Sequence, residues 1–307
     1  MEQQSTHLTP TSIHPDTHIG LVTLRVANLD RSLNFYEGIL GFRRIERTAE
    51  TAILGAQEGP PLLELQEMPG ASPQPLRSTG LYHVAILLPS RADLGRELLR
   101  MATAGLEIGQ GDHLVSEALY ISDPDGNGLE IYWDRPRASW HWEQGLVQMA
   151  TDPIDLYALM EEGKRDALPW EVLPVGTRVG HIHLRVGDME QAEHFYHIIL
   201  GFDITASMPG ALFLSAGGYH HHIGMNTWQS RGAGLAPKTT AGLQTFVIAL
   251  PTQDALREVR ARLAAHGIPS HEQGDDLIVA DPWRNQIRLT IESPSTIHHV
   301  TNGPTSG

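Results

Sequence analysis

An internal repeat constrains this chain more than any other feature. Thr17–Phe42 and Thr177–Phe202 share eleven identical residues over 26 aligned positions, at an offset of 160. A second pair of segments follows each copy. GLYHVAILLP from Gly80 aligns with GLQTFVIALP from Gly242, and DPDGNGLE from Asp123 aligns with DPWRNQIR from Asp281. The chain therefore reads as four related modules in two halves, and such self-similarity fixes the domain count before any local signal does. Its 307 residues suffice for two domains with cores of their own.

Each module opens with a short apolar strand: Leu21–Val26, Leu81–Leu88, Ile182–Val186 and Phe246–Leu250. A helix is expected next. Leu33, Phe35 and Tyr36 lie near one face of the first helix, while Leu94, Leu98 and Met101 mark Asp93–Ala104 and Leu256, Val259 and Leu263 mark Asp254–Ala265. Gly41, Gly105 and Gly267 supply the stops. Short strands complete a βαβββ pattern, so the fold class is α+β. Residues 17–135 form the first module pair in sequence, 136–176 a linker, and 177–292 the second pair. Within the linker, Pro153–Glu162 is a candidate helix, and Trp133–Trp142 either lines a pocket mouth or packs on a helix. The tail after Glu292 is expected to fray, and its His298 and His299 have no framework to make them ligands.

The absence of cysteine excludes disulfides, thiolate nucleophiles and Cys-ligated metals. A net charge of −14 argues against a nucleic-acid partner. The longest apolar run falls short of a membrane span, and MEQQSTHLTP lacks the regions of a signal peptide, so a cytoplasmic protein is expected. No GxGxxG or phosphate loop is present, which disfavours a nucleotide cofactor. DPDGNG lacks the alternating acidic ligands of a calcium loop and reads as a tight turn that aligns Glu130.

Polar residues are not kept symmetrically across the repeat. His83 and Glu130 of module two align with Thr245 and Arg288 of module four, and His181 of module three aligns with Leu21 of module one. One set of candidate metal ligands thus survives, scattered over modules two and three. Glu130 sits between Leu129 and Ile131, where a buried carboxylate is costly without a cation or donor. An arginine partner in a metal-free core would also satisfy it. Two imidazoles and one carboxylate leave open positions on Fe(II) for oxygen and a substrate.

The segments GHIHLRVGDMEQAEHFY, GLYHVAILLP, SEALYISDPDGNGLEIYWDRP and LFLSAGGYHHHIGMNTW resemble the vicinal oxygen chelate superfamily. Within it the chain resembles the two-domain extradiol ring-cleaving dioxygenases, most nearly the bacterial catechol 2,3-dioxygenases, over nearly all of Thr17–Glu292. The resemblance implies paired modules forming two cup-like domains of the glyoxalase/bleomycin-resistance/extradiol dioxygenase fold. It also implies Fe(II) held by His83, Glu130 and His181, a catecholic substrate cleaved with O2, and a homo-oligomer. Tyr120, ten positions before Glu130, would contact the substrate, and His113 would assist from the rim. His221 would be the acid–base histidine, although one register step selects His220 or His222 instead. Strand alternation would put His220 and His222 on one face and His221 on the other. His183 shares the strand face of His181 and is its rival as a ligand.

The pairing of modules stays open at this level. Sequential pairing separates His181 from His83 and Glu130, leaving His18 to compensate. Crossed pairing, two with three and one with four, unites the three ligands and is the expected arrangement. A glyoxalase-like lyase or isomerase, which usually adds a fourth protein ligand, and a noncatalytic small-molecule binding protein are the alternatives to a dioxygenase.

Overall fold

The computed structural model describes residues 12–165 and 171–292, so His298 and His299 lie outside the described residues. Module one contributes β1 (His18–Val26), α1 (Leu29–Tyr36), β2 (Arg43–Arg47), β3 (Thr51–Gly55) and β4 (Pro61–Glu67). Module two contributes β5 (Gly80–Leu87), α2 (Arg91–Thr103), β6 (Gly109–Asp112), β7 (Ser116–Ser122) and β8 (Gly128–Asp134). The hairpin β9 (Trp142–Glu143) and β10 (Leu146–Val147) and helix α3 (Leu156–Arg165) follow. Module three comprises β11 (Arg178–Arg185), α4 (Met189–Glu193), running on as a wider π-helical turn over His194–Ile199, then β12 (Asp203–Met208), β13 (Ala211–Ser215) and β14 (Ile223–Asn226). Module four comprises β15 (Gly242–Leu250), α5 (Gln253–Ala265), β16 (Ser270–Gln273), β17 (Asp276–Ala280) and β18 (Gln286–Ile291).

The repeat is built with the same local devices each time. Asn28, Ser90, Asp188 and Thr252 each accept a backbone N–H at the start of their helix, satisfying a donor that the first turn leaves unpaired. Gly41, Gly105 and Gly267 adopt φ of 71°, 71° and 66° just beyond a helix end, a region costly for residues with a Cβ.

Two sheets of eight strands result, and each mixes the two halves of the chain. One runs β12-β13-β14-β11-β5-β8-β7-β6, from modules two and three; the other runs β16-β17-β18-β15-β1-β4-β3-β2, from modules one and four. Their central seams, β5 with β11 and β1 with β15, are antiparallel. Sequential modules are joined differently, through their helices. The hydroxyl of Tyr36 on α1 donates to Asp123 Oδ2 at 3.0 Å, and that of Tyr196 donates to Asp281 Oδ2 at 3.0 Å. Asp123 and Asp281 each also accept two backbone N–H groups of their own turns and the side-chain amide of Asn127 or Asn285. The DPxxN motif is thus a self-satisfied turn at the head of β8 and β18. One continuous apolar cluster, with Val22, Leu24, Val84, Ile86, Ile182, Leu184, Phe246 and Ile248, fills the helix side of the seams.

The linker does more than connect. Helix α3 packs on α2 at a crossing tight enough that a Cβ on Gly95 would lie 2.2 Å from the carbonyl oxygen of Leu159. Trp140 reaches the other side and packs with Phe213, Tyr219 and Val115. Among the described residues, no helix is long and apolar enough to cross a membrane.

Helix α2 also holds a carboxylate with no role in the site. Glu97 is fully buried, neither oxygen has a hydrogen-bond partner, and Arg100 Nε stands 3.7 Å away. Burial drives its pKa up to about 8. Because the folded-state pKa exceeds the unfolded one, the protonated form stabilises the fold fully below pH ~4.5, and this contribution is lost as pH rises through about 8. Glu97→Gln is expected to remove that dependence, gaining a few kcal/mol over the parent at pH 9 relative to pH 5 in urea unfolding. Parallel pH profiles for the two proteins would contradict the assignment.

Candidate metal centre

His83 lies on β5 and Glu130 on the adjacent parallel strand β8, with Ala85 opposite Glu130. His181 lies on β11, across the seam from Ala85. The small side chain of Ala85 leaves the space between them open. One ligand atom from each of His83, Glu130 and His181 lies within 4.8 Å of the others. Glu130 Oε2 is 2.9 Å from His83 Nε2 and 3.1 Å from His181 Nε2. All three side chains are buried.

The donor set fits a metal ion. His83 Nε2, although close to Glu130, makes no directed hydrogen bond and is left without a partner in a buried site. An orphaned buried nitrogen costs about 1–3 kcal/mol unless something else engages its lone pair. Burial pushes the His181 pKa down to about 4, against the pull of Glu130, so its imidazole is neutral near pH 7. Burial alone would raise the pKa of Glu130, but His181 and His83 hold it well below the usual carboxylate range. A neutral imidazole at His181 and an anionic carboxylate at Glu130 are the protonation states that ligation requires of these groups. The described ion pairs give Glu130 these two histidines and no arginine.

The rival histidines are engaged elsewhere. His183 stands opposite His83 across the seam, but its Nε2 is 3.0 Å from the side-chain amide of Asn226. His18 is 40% exposed at the start of β1 in the other sheet, with Nε2 3.8 Å from Glu292. In that second sheet the equivalent places hold Leu21, Thr245 and Arg288, and Arg288 faces Asp276 at 3.4 Å.

The module symmetry also reveals a missing ligand that the sequence reading did not look for. On β14 of module three, Gly224 sits beside His183, just as Glu130 sits beside Ala85 on β8. A fourth protein ligand would project from this position, and glycine offers none. A Cβ there would lie 2.9 Å from His183 Nδ1, so the ring of His183 covers the place.

Tyr120 is the cross-strand partner of Glu130 on β7, and its ring centroid is 5.6 Å from that of His83. Its hydroxyl meets His113 Nε2 at 2.6 Å, while His113 Nδ1 is 2.7 Å from the carbonyl oxygen of Ala150. A carbonyl only accepts, so Nδ1 of His113 carries a proton and Nε2 is the atom that meets the Tyr120 hydroxyl. Burial and the charge of Glu130 raise the Tyr120 pKa well above that of a free phenol.

His220, His221 and His222 are all buried, but they precede β14 and do not alternate as a strand would. Gly217 and Gly218, with φ of 60° and 67°, turn the chain just before them. This corrects the expectation that strand alternation sends His220 and His221 to opposite faces, since their rings meet. His222 Nδ1 instead accepts the backbone N–H of Ala216 at 3.1 Å, and His220 Nε2 meets Asp134 Oδ1 at 2.8 Å. His221 packs against His181 with centroids 4.0 Å apart and the rings tilted by 48°, and its Nδ1 is 2.8 Å from His220 Nδ1. The tautomers follow from the ends of this chain. Asp134 accepts from His220 Nε2–H, so Nδ1 of a neutral His220 must accept from His221 Nδ1–H. Nε2 of His221 is then left as a free base, and burial, aided by His181, holds its pKa well below that of a free imidazole.

Both module pairs, residues 18–131 and 178–289, match the model of the Glyoxalase/Bleomycin resistance protein/Dioxygenase superfamily. The chain is 47% identical over 276 residues to the catechol-2,3-dioxygenase of Bacillus subtilis (strain 168), covering 89% of this chain and 96% of that one. Among solved structures, a Bacillus subtilis protein assigned as a dioxygenase superposes with a TM-score of 0.66 at 13% identity, covering 92% of this chain and 87% of that one. Glyoxalase I from Zea mays superposes with a TM-score of 0.53 at 18% identity, covering 89% and 92%. Identities this low establish the shared fold alone. The chain belongs to the Glyoxalase/Bleomycin resistance protein/Dioxygenase superfamily, and its kinship with the Bacillus enzyme puts it among the extradiol dioxygenases of that family.

Proposed function

We propose that the protein is a ferrous extradiol dioxygenase that opens the ring of catechol or a substituted catechol, giving 2-hydroxymuconate semialdehyde or an analogue. The observation that carries this reading is the three-ligand set of His83, Glu130 and His181 with Gly224 at the fourth symmetric position. Three protein ligands leave room for a chelating diol and for oxygen, whereas a glyoxalase-like site usually adds a fourth. A ferrous ion in this set would supply Lewis acidity toward the diol and electron transfer to dioxygen.

The chain's own groups then have defined tasks. His221 Nε2 accepts a proton from the diol, and its Nδ1–H stays anchored on His220, which Asp134 orients. Tyr120, locked against His113, turns its hydroxyl beside Glu130 and holds the substrate oxygen in register. The aromatic floor of Tyr132 and Tyr219, whose hydroxyls are 2.7 Å apart, and the overlying Trp140 exclude water from this side of the cup.

Three outcomes follow. Protein loaded anaerobically with Fe(II) turns colourless catechol yellow when air is admitted and consumes one O2 per ring, as followed by absorbance and an oxygen electrode. An intradiol diacid by mass spectrometry, or no cleavage at full ferrous occupancy, would overturn the reading. Glu130→Gln, His83→Ala and His181→Ala are each expected to lose more iron affinity than the roughly 10–100-fold that an outer-shell partner contributes. His18→Ala is expected to bind iron like the parent, and metal analysis after dialysis separates these cases. His221→Ala and His220→Phe are expected to keep iron but lose about 10²–10⁴-fold in kcat, the usual worth of a positioned acid–base group. Turnover equal to the parent's in both variants would remove the histidine chain from the mechanism.

A further inference from the structure

Two aromatic side chains at the mouth of the metal-bearing cup have no task in the chemistry above. Across the central seam His83 pairs with His183 and Leu81 with Leu184, so Tyr82 is an extra residue in β5. Such a bulge re-aims a side chain that strict alternation would send to the opposite face. Tyr82 accordingly turns toward the cup, with its ring centroid 5.2 Å from His83 and 4.9 Å from His183. Trp228, just beyond β14, completes the corner, 5.6 Å from Tyr82 at 77° and 5.9 Å from His183.

The tryptophan is held in place and yet uncovered. Its indole N–H donates to the carbonyl of Pro209 at 3.3 Å, and its backbone N–H donates to Asn226 Oδ1 at 3.3 Å. The same Asn226 holds His183 through its amide, which ties the aromatic corner to the ring beside His83. Nevertheless Trp228 is 50% exposed and Tyr82 37%. Large apolar surface held rigidly at the rim of a cleft marks a binding contact.

The repeat supplies an internal control. The seam of the second sheet carries the same bulge, at Gln244, and the position matching Trp228 is Met68. Neither aromatic occurs at the cup that lacks ligands. The charge nearby also limits the choice. Arg185 is a cation near Tyr82, and its Nε–H and Nη1–H groups donate to the carbonyls of Leu81, Pro75 and Leu76. A carboxylate on the substrate would therefore meet π faces and the charge of Glu130 here, beside a guanidinium already committed through Nε and Nη1.

Resting on the dioxygenase reading, we propose that Tyr82 and Trp228 form an aromatic corner that selects catechols bearing an apolar ring substituent, alkyl or aryl. The substituent packs in the edge-to-face angle of the two rings while the diol faces the metal ligands. Apolar contacts of this size typically discriminate by about 10–200-fold.

The test compares catechol, 4-ethylcatechol, 4-phenylcatechol, 2,3-dihydroxybiphenyl and 3,4-dihydroxyphenylacetate as substrates of the Fe(II)-loaded full chain. The parent is expected to show its highest kcat/KM with an ethyl or phenyl compound and its lowest with the carboxylate. In Tyr82→Ala, Trp228→Ala and the double variant, the ratio of kcat/KM for the best apolar substrate to that for catechol is expected to fall about tenfold. Trp228→Phe should recover most of it. Anaerobic binding of the same ligands, followed by calorimetry, should show the same ratio without turnover. A parent that prefers catechol or the carboxylate, or variants whose ratio is unchanged in kinetics and binding, would overturn the proposal. Failure of the parent to cleave any catechol while still binding the apolar ones more tightly would instead sink the dioxygenase reading and leave the aromatic corner standing.

Discussion

The antiparallel pairing of β5 with β11 sets Val84 opposite Ile182 and His83 opposite His183, and the rest of the site depends on that register. Side chains alternate with a period of two along a strand, so a slip of one residue would turn the histidines into the apolar core and the valines into the cup. The core prevents the slip, because Val84, Ile86, Ile182 and Leu184 are all buried on the helix side. Gly180 makes a further demand on this seam. It is unpaired between Val179 and His181, and a Cβ there would lie 1.7 Å from the Tyr132 hydroxyl. A bulge and a glycine therefore let the tyrosine floor reach beneath His181.

Two kinds of bond hold the four modules, and they cross. Strands join module two to three and one to four, while the Tyr36–Asp123 and Tyr196–Asp281 hydrogen bonds join one to two and three to four. Neither half can be removed without exposing the apolar cluster shared by all four. This interlocking explains why one cup could shed its ligands. With Leu21, Thr245 and Arg288 in the matching places, the second sheet retains its strands, its bulge and its tyrosine–aspartate bond. Its contribution is to the shared core.

Much of this was legible in the chain before any coordinates. The repeated helix and turn signals marked the modules, and the survival of His83, Glu130 and His181 opposite Thr245, Arg288 and Leu21 marked one cup as the reactive one. Burial gives a physical reason for that signal, since a carboxylate between Leu129 and Ile131 demands a partner. Other features were not legible. Periodicity cannot report a bulge, so the turn of Tyr82 toward the cup emerges only from the pairing of β5 with β11. The run His220–His222 looked like a strand, yet the paired turn glycines Gly217 and Gly218 give each ring a different partner. Gly224 could be recognised as an absent ligand only after β14 was seen beside β11. Module pairing is a long-range choice that no local window contains.

If one strand of each half supplies imidazole to a single ion, X-ray absorption on anaerobically loaded protein will show it. One Fe(II) per chain with two imidazoles in its inner shell is expected, falling to one in His181→Ala and in His83→Ala. A third imidazole from His183 or His221, a second ion per chain, or a His181→Ala spectrum identical to the parent's would contradict it.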